Sequence, residues 1–244
     1  MWGWVPSRLM EPTKFMLRER TSLPLMLYGV YVYLCSNSLR RASRILEPVI
    51  ERSHEAIRQW VQRLAPICDG FDVDRRLVTA MFVDETMIKI RGKQAWVWVA
   101  FEPGLRCFLA FRISYNQSIP DAYLFLKELR TRYGRKPIWT DEGTFYPEAC
   151  RWARLEHHVY GTELKNLIER MNQSLKDRLE CFDDIFPCLK EGCDREHVRN
   201  WISVFRFYHN HVRTNGEIGR PPMEFDERPE YARFIEIISR EVLT

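Results

Sequence analysis

Residues 77–115 read LVTAMFVDETMIKIRGKQAWVWVAFEPGLRCFLAFRISY. Three runs rich in Val, Ile, Phe and Trp are separated by two glycine-containing turns, Arg91-Gly92-Lys93 and Pro103-Gly104. Side chains of this kind suit a pleated, half-buried surface, and turns this short join antiparallel neighbours. The stretch predicts a three-stranded antiparallel meander. Asp84 is expected at the end of the first buried strand, in FVDET. Glu85 faces the other side by alternation, and is expected to be solvated or paired with Lys89 or Arg91.

Downstream, the pattern alternates. A helix is predicted over 120–133, with Pro120 in its first turn and Gly134 as its stop. A short strand, KPIWTD, follows and ends on Asp141. Then come a helix beginning near Pro147, a short strand EHHVY, and a long helix over about 163–179. Three hairpin strands followed by alternating helices and strands is the order of an RNase H-like α/β fold, a mixed five-stranded sheet with flanking helices.

The region upstream is helical. Residues 23–35, LPLMLYGVYVYLC, are too short to span a bilayer and read as a buried helix. Ser38 can cap a short helix that Pro48 ends, and Ser53 can cap a second that Pro66 ends. In the second, Ile57, Trp60, Val61 and Leu64 fall at i, i+3, i+4 and i+7, a buried stripe. Arg58, Gln59, Gln62 and Arg63 lie on the opposite face. Arginine can bind guanine edges and glutamine adenine edges, so a helix-turn-helix reading makes these four DNA contacts. The expected division is a helical domain over 1–67, a polar glycine-containing linker over 68–76, a catalytic domain over 77–226 and a helical tail over 227–244.

Asp84 and Asp141 are strand-end carboxylates, placed to converge at a sheet rim. Phosphodiester cleavage needs an activated oxygen nucleophile and a stabilised leaving oxygen. Two Mg²⁺ (or Mn²⁺) ions about 4 Å apart can supply both. Magnesium needs few carboxylates, because it keeps waters and substrate phosphates as its other ligands. A handful of acids from distant parts of a chain is therefore enough.

Four segments, FVDETMIKIRGKQAWVWVAFE, TDEGTFYPEA, YGTELKNLIERMNQSLKDR and NWISVFRFYHNHVRTNGEIGRPPMEF, stand in that order. Together they resemble the catalytic domain of DDE transposases from prokaryotic insertion sequences, most closely the insertion sequence six family in its archaeal form. LPLMLYGVYVYLCSNSLRRASRIL and AIRQWVQRLAP are similar to that family's helix-turn-helix region. The resemblance covers roughly residues 22–226. It implies an RNase H-like core, cut-and-join chemistry at transposon ends, and Asp84, Asp141 and Glu169 as catalytic metal ligands. It also implies double-stranded DNA as partner, both terminal inverted repeats and target, and a homo-oligomer of at least two copies. On a helix, Lys165, Glu169, Asn172 and Lys176 share a flank, which adds Lys165 and Lys176 as DNA contacts, while Glu163 lies on the other flank.

Composition sets outer bounds. The 244 residues are 45% hydrophobic and 29% charged, with a formal net charge of +4. That is ordinary for a globular protein and permits a polyanionic partner. The start, MWGWVPSRLMEP, lacks the apolar core of a secretory signal. Seven cysteines form no framework, and Cys181, Cys188 and Cys193 lack zinc-site spacing, which suits a reducing, cytoplasmic interior; the resemblance implies association with the nucleoid there. His157 and His158 point to opposite sides of a short strand and cannot share an ion. Val198, Trp201, Phe205, Tyr208 and Val212 form a helix face expected in the core. Two rival readings share these features: another RNase H-like nuclease, and a DNA-binding protein whose acidic domain is decayed or domesticated.

Overall fold

The structure is a computed structural model and describes residues 19–161, 194–224 and 228–243. The expected helix over 163–179, with Lys165, Glu169 and Lys176, lies outside the described residues. The chain divides into two compact units, Val73–Arg199 and a helical unit of Met1–Asp72 with Asn200–Thr244.

The first of these holds the predicted meander: β1 (Met81–Ile90), β2 (Lys93–Glu102) and β3 (Cys107–Ser114), paired antiparallel. β4 (Ile138–Thr140) adds to the far side of β1 in parallel, and β5 (His157–Val159) adds in parallel to β4. The strand order is β3-β2-β1-β4-β5. A five-stranded mixed sheet with this order and these directions is an RNase H-like fold. Asp84 does not end its strand: it is the fourth of ten residues, and β1 runs on because β2 keeps pairing with it as far as Ile90. What ends near Asp84 is the neighbour β4, so the sheet narrows there.

A helix (Ile119–Tyr133) and a shorter one (Tyr146–Ala153) flank the sheet and pack on each other. Ser118 caps the longer helix on the Asp121 amide, and Gly134 stops it at φ 85°. Its buried stripe is Ala122, Phe125, Leu126, Leu129 and Tyr133. At the Met81 end of the β1–β2 pair, the carboxylate of Glu102 is buried but satisfied. It accepts from the Thr79 hydroxyl at 2.6 Å, the Thr79 amide at 3.3 Å and the Leu105 amide at 2.6 Å, as a buried charge must be.

The helical unit begins with α1 (Leu23–Ser36), α2 (Leu39–Leu46) and α3 (His54–Asp69). Numbering the two sheet-flanking helices α4 and α5, the chain ends with α6 (Arg195–Phe207) and α7 (Glu230–Leu243). The Ser38 and Ser53 side chains cap α2 and α3 as expected, accepting from the Arg41 and Ala56 amides. Pro66 does not end α3, which continues to Asp69 and buries Ala65 and Cys68. Proline forfeits one helical hydrogen bond; the apolar contacts beyond it outweigh that loss. Ile57, Trp60, Val61 and Leu64 are all buried. Where α1 meets α3, a Cβ on Gly29 would lie 2.8 Å from the Trp60 ring, so only glycine allows this approach.

The compact units cut the chain differently from the linear division expected. Residues from Asn200 onward join the N-terminal helices. Trp201 donates to the Tyr33 hydroxyl at 2.8 Å, and Tyr231 packs against Tyr28 and Tyr31. Buried Arg206 pairs with Asp72 at 3.1 Å and donates to the Asp69 carbonyl. Val198, Trp201, Phe205, Tyr208 and Val212 are buried. No described helix is long and apolar enough to cross a membrane.

Candidate active site

β1 and β4 are parallel, with Met81 opposite Ile138 and Phe82 opposite Trp139. Continued two residues, this register sets Asp84 level with Asp141 on the adjacent strand, about 5 Å away along the backbone spacing. The Phe82 and Trp139 rings stack at 5.9 Å, so they share a face. Asp84 and Asp141, each two residues further on, are carried to that face as well. Asp84 is half-buried and Asp141 exposed.

Local bonding shapes the Asp141 end. Its Oδ1 accepts from the Gly143 amide at 3.0 Å, a tight turn in which a Cβ on Gly143 would lie 3.0 Å from that oxygen and from the Tyr146 ring. Among the described residues Asp141 has no ion-pair partner. The Thr140 hydroxyl donates to the Asp141 carbonyl at 2.7 Å, so it accepts from His157 Nε2 at 2.8 Å. Burial, aided by the neighbouring His158, holds the His157 imidazole below its usual range. His158 stacks instead on Trp139 at 4.6 Å, on the other face, as alternation required.

Glu85 stands half-buried on β1. It accepts from the Tyr146 hydroxyl, and from Gln117 Nε2 at 2.8 Å; helix α5 and the loop before α4 supply these donors. Burial pushes the Tyr146 phenol well above its usual range, and the negative fields of Glu85, Asp84 and Asp141 push it the same way. Sequence reasoning missed Tyr146 and Gln117, 61 and 32 residues from their partner. The only signal for Tyr146 was its place in the TDEGTFYPEA segment.

A family model described as a DDE domain matches residues 78–214. The chain belongs to the DDE transposase domain family. An uncharacterized protein of Methanocaldococcus jannaschii is 27% identical over 202 residues, covering 82% of this chain and 92% of its own. Among solved structures, the chain is similar to one from a simian T-cell lymphotropic virus intasome, at 18% identity and TM-score 0.47, covering 62% of this chain and 56% of that one. The HTLV-2 integrase catalytic core domain in complex with magnesium is 15% identical with TM-score 0.43, covering 60% and 95%. The catalytic core domain of BIV integrase is 16% identical with TM-score 0.42, covering 66% and 97%.

In this DDE domain the β1–β4 register, continued two residues, carries two of the three predicted acids, Asp84 and Asp141, to adjacent strands; Glu169 lies outside the described residues. Among the described residues no three His, Cys, Asp or Glu side chains group as a metal site. The two acids present still suit a hard cation. They are oxygen donors on a solvent-reached rim, and magnesium takes one or two carboxylates and keeps its waters.

The predicted DNA contacts of α3 are largely engaged within the helical unit. Arg58 forks onto Glu55 at 2.9 and 3.0 Å and holds that carboxyl below its usual range. Arg63 pairs with Glu19 at 3.2 Å, and Gln62 accepts from Asn200 at 3.0 Å. Gln59 is exposed. The exposed cations stand on α2: Arg40, Arg41 and Arg44, within about 100° of one another around the helix. Among the described residues none of the three has an ion-pair partner.

Proposed function

We propose that the chain is a transposase of the insertion sequence six type. In this reading it binds the ends of its own element as an oligomer of at least two copies, then cuts and joins DNA with Asp84, Asp141 and Glu169 as the catalytic acids. The observation that carries it is the parallel β1–β4 register at the centre of an RNase H-like sheet in a DDE-family chain, which carries Asp84 and Asp141 to adjacent strands. These acids would hold two Mg²⁺ or Mn²⁺ ions. The ions would lower the pKa of an attacking water and stabilise charge on the leaving oxygen. The chain's own residues supply position. The β1–β4 register fixes the spacing of the two acids, the Gly143 amide holds one Asp141 oxygen, and Tyr146 with Gln117 ties Glu85 back on the opposite face.

The helical unit would hold the duplex. With Arg58, Gln62 and Arg63 engaged internally, Arg40, Arg41 and Arg44 of α2 are the cations suited to phosphate, and Gln59 is the residue of α3 presented for base contact. Lys165 and Lys176 belong to the same reading, beside Glu169.

The test is a set of conservative variants assayed for cleavage, joining and gel-shift affinity. Asp84→Asn, Asp141→Asn and Glu169→Gln should each lower joining by orders of magnitude and leave DNA binding intact. Glu163→Gln should stay near the wild type. Joining at the wild-type rate by either aspartate variant would refute the acid assignment, and a Glu163-dependent but Glu169-independent reaction would reassign the third acid. A chain that binds DNA but never cuts it, with or without Mg²⁺ or Mn²⁺, would favour the decayed DNA-binding reading.

A further inference from the structure

The row that holds the two acids has a third member. The β4–β5 register sets Ile138 opposite His157, Trp139 opposite His158 and Thr140 opposite Val159. The Tyr160 amide extends this ladder by donating to the Thr140 carbonyl at 3.1 Å. One further step sets Tyr160 level with Asp141, just as the β1–β4 register sets Asp84 level with it. Asp84, Asp141 and Tyr160 thus form one row across three parallel strands. The row beneath is Phe82, Trp139 and His158, whose rings stack in succession at 5.9 and 4.6 Å.

The Tyr160 ring lies 6.2 Å from the Phe82 ring. Yet β5 and β1 are two strand spacings apart, about 10 Å. The two rings therefore reach toward each other across β4. They lie on the face to which the β1–β4 and β4–β5 registers carry Asp84 and Asp141, and Tyr160 stays half-exposed.

We propose that Tyr160 is a positioning residue whose ring packs against the sugar and base of the nucleotide next to the phosphate presented to Asp84 and Asp141. The inference rests on the reading of those acids as a DNA-cleaving site. Every base offers a π-face, so a stacking platform holds a strand without selecting its sequence. That suits a residue beside the reacting phosphate, where cleavage at element ends and joining at varied targets share one site.

The experiment uses the full chain and a duplex carrying 2-aminopurine at the nucleotide flanking the cleavage point. Binding to the wild type and to Tyr160→Phe should quench the probe equally, and both should react alike. Tyr160→Leu and Tyr160→Ala should leave the probe unquenched and lower kcat/KM by roughly 5- to 150-fold, the range for loss of one base–aromatic stack. Tyr160→Leu keeps an apolar contact to Phe82, and a melting curve like the wild type's shows that folding is unaffected. Wild-type quenching and rate in Tyr160→Leu would overturn the proposal. So would a Phe variant that falls as far as the Ala variant, because the hydroxyl and not the ring would then be at work. Tyr160-dependent quenching in a chain that never cuts would count against the acid assignment and support the stacking.

Discussion

Replacing Gly29 by alanine probes the crossing of α1 and α3 through the sign of the effect as well as its size. The added Cβ would lie 2.8 Å from Trp60 Cζ3 and 3.1 Å from Leu46 Cδ2. Carbon atoms rest comfortably at about 3.5–4.0 Å, so the shortfall against the indole is about 1 Å. Leu46 can give way by rotation. Trp60 is buried, and its Nε1 is bonded to Glu19 at 3.0 Å, so the ring has no easy retreat. Overpacking of this kind costs ~1–3 kcal/mol. Helix propensity alone would favour alanine by ~1 kcal/mol. The net expectation is a destabilisation of ~1 kcal/mol, against a stabilisation of similar size if the crossing were loose. Because the chain has two compact units, a whole-chain melt would blend their responses. Hydrogen exchange at the α1 and α3 amides reads the helical unit by itself. Those amides should exchange faster in Gly29→Ala, and Trp60→Leu should cost less in that background than in the wild type. Slower exchange, or strictly additive effects, would refute the packing argument.

The other expectations are simpler to state. Arg40→Ala, Arg41→Ala and Arg44→Ala together should flatten the dependence of log K for DNA on log salt by up to ~2.7, about 0.9 for each phosphate no longer neutralised; an unchanged slope would remove α2 from the interface. His157 is held neutral below its usual pKa of 6.5, so the unfolded chain takes up the proton first as pH falls. Its contribution to stability is therefore complete above about pH 6.5 and is lost as pH drops from there through the depressed folded value. His157→Gln should flatten melting temperature across that window, and an equal fall in both proteins would assign the effect elsewhere. Tyr146→Phe should cost ~1 kcal/mol, because Glu85 loses the donor on one oxygen while Gln117 still serves the other; no measurable loss in a denaturant titration would show that solvent replaces the phenol.

Much of this was readable from residue patterns, and the limits have physical causes. The meander was legible because Val, Ile, Phe and Trp alternate between two short turns. The α3 stripe was legible because Ile57, Trp60, Val61 and Leu64 repeat at helical spacing. Asp84 and Asp141 stood out as acids ending apolar runs, although β1 passes beyond Asp84 because its partner β2 is long. Pairings between distant residues left no local trace. Nothing near Glu85 points to Tyr146 or Gln117, and nothing in α3 reveals that Glu19 and Asn200 engage its polar face. The approach of Tyr160 to Phe82 depends on the register of three strands, which no single stretch encodes. The role of residues beyond Asn200 in the helical unit was hidden for the same reason: Tyr28 and Tyr231 meet only after the chain between them has folded.

That closure has a consequence for synthesis. Residues 73–199 interrupt the helical unit, so α1–α3 leave the ribosome about 130 residues before the segment that covers them. At about 5–20 residues per second, the wait is on the order of 6–25 s. The sheet unit is fully translated first, while the aromatic side chains of α1 await Tyr208, Tyr231 and Phe234. A nascent chain, or one cut short before Asn200, would carry an uncovered apolar helix face in the unit proposed to hold DNA. Such fragments would be prone to aggregate or to draw chaperones, and that unit would be completed only when the last helix arrives.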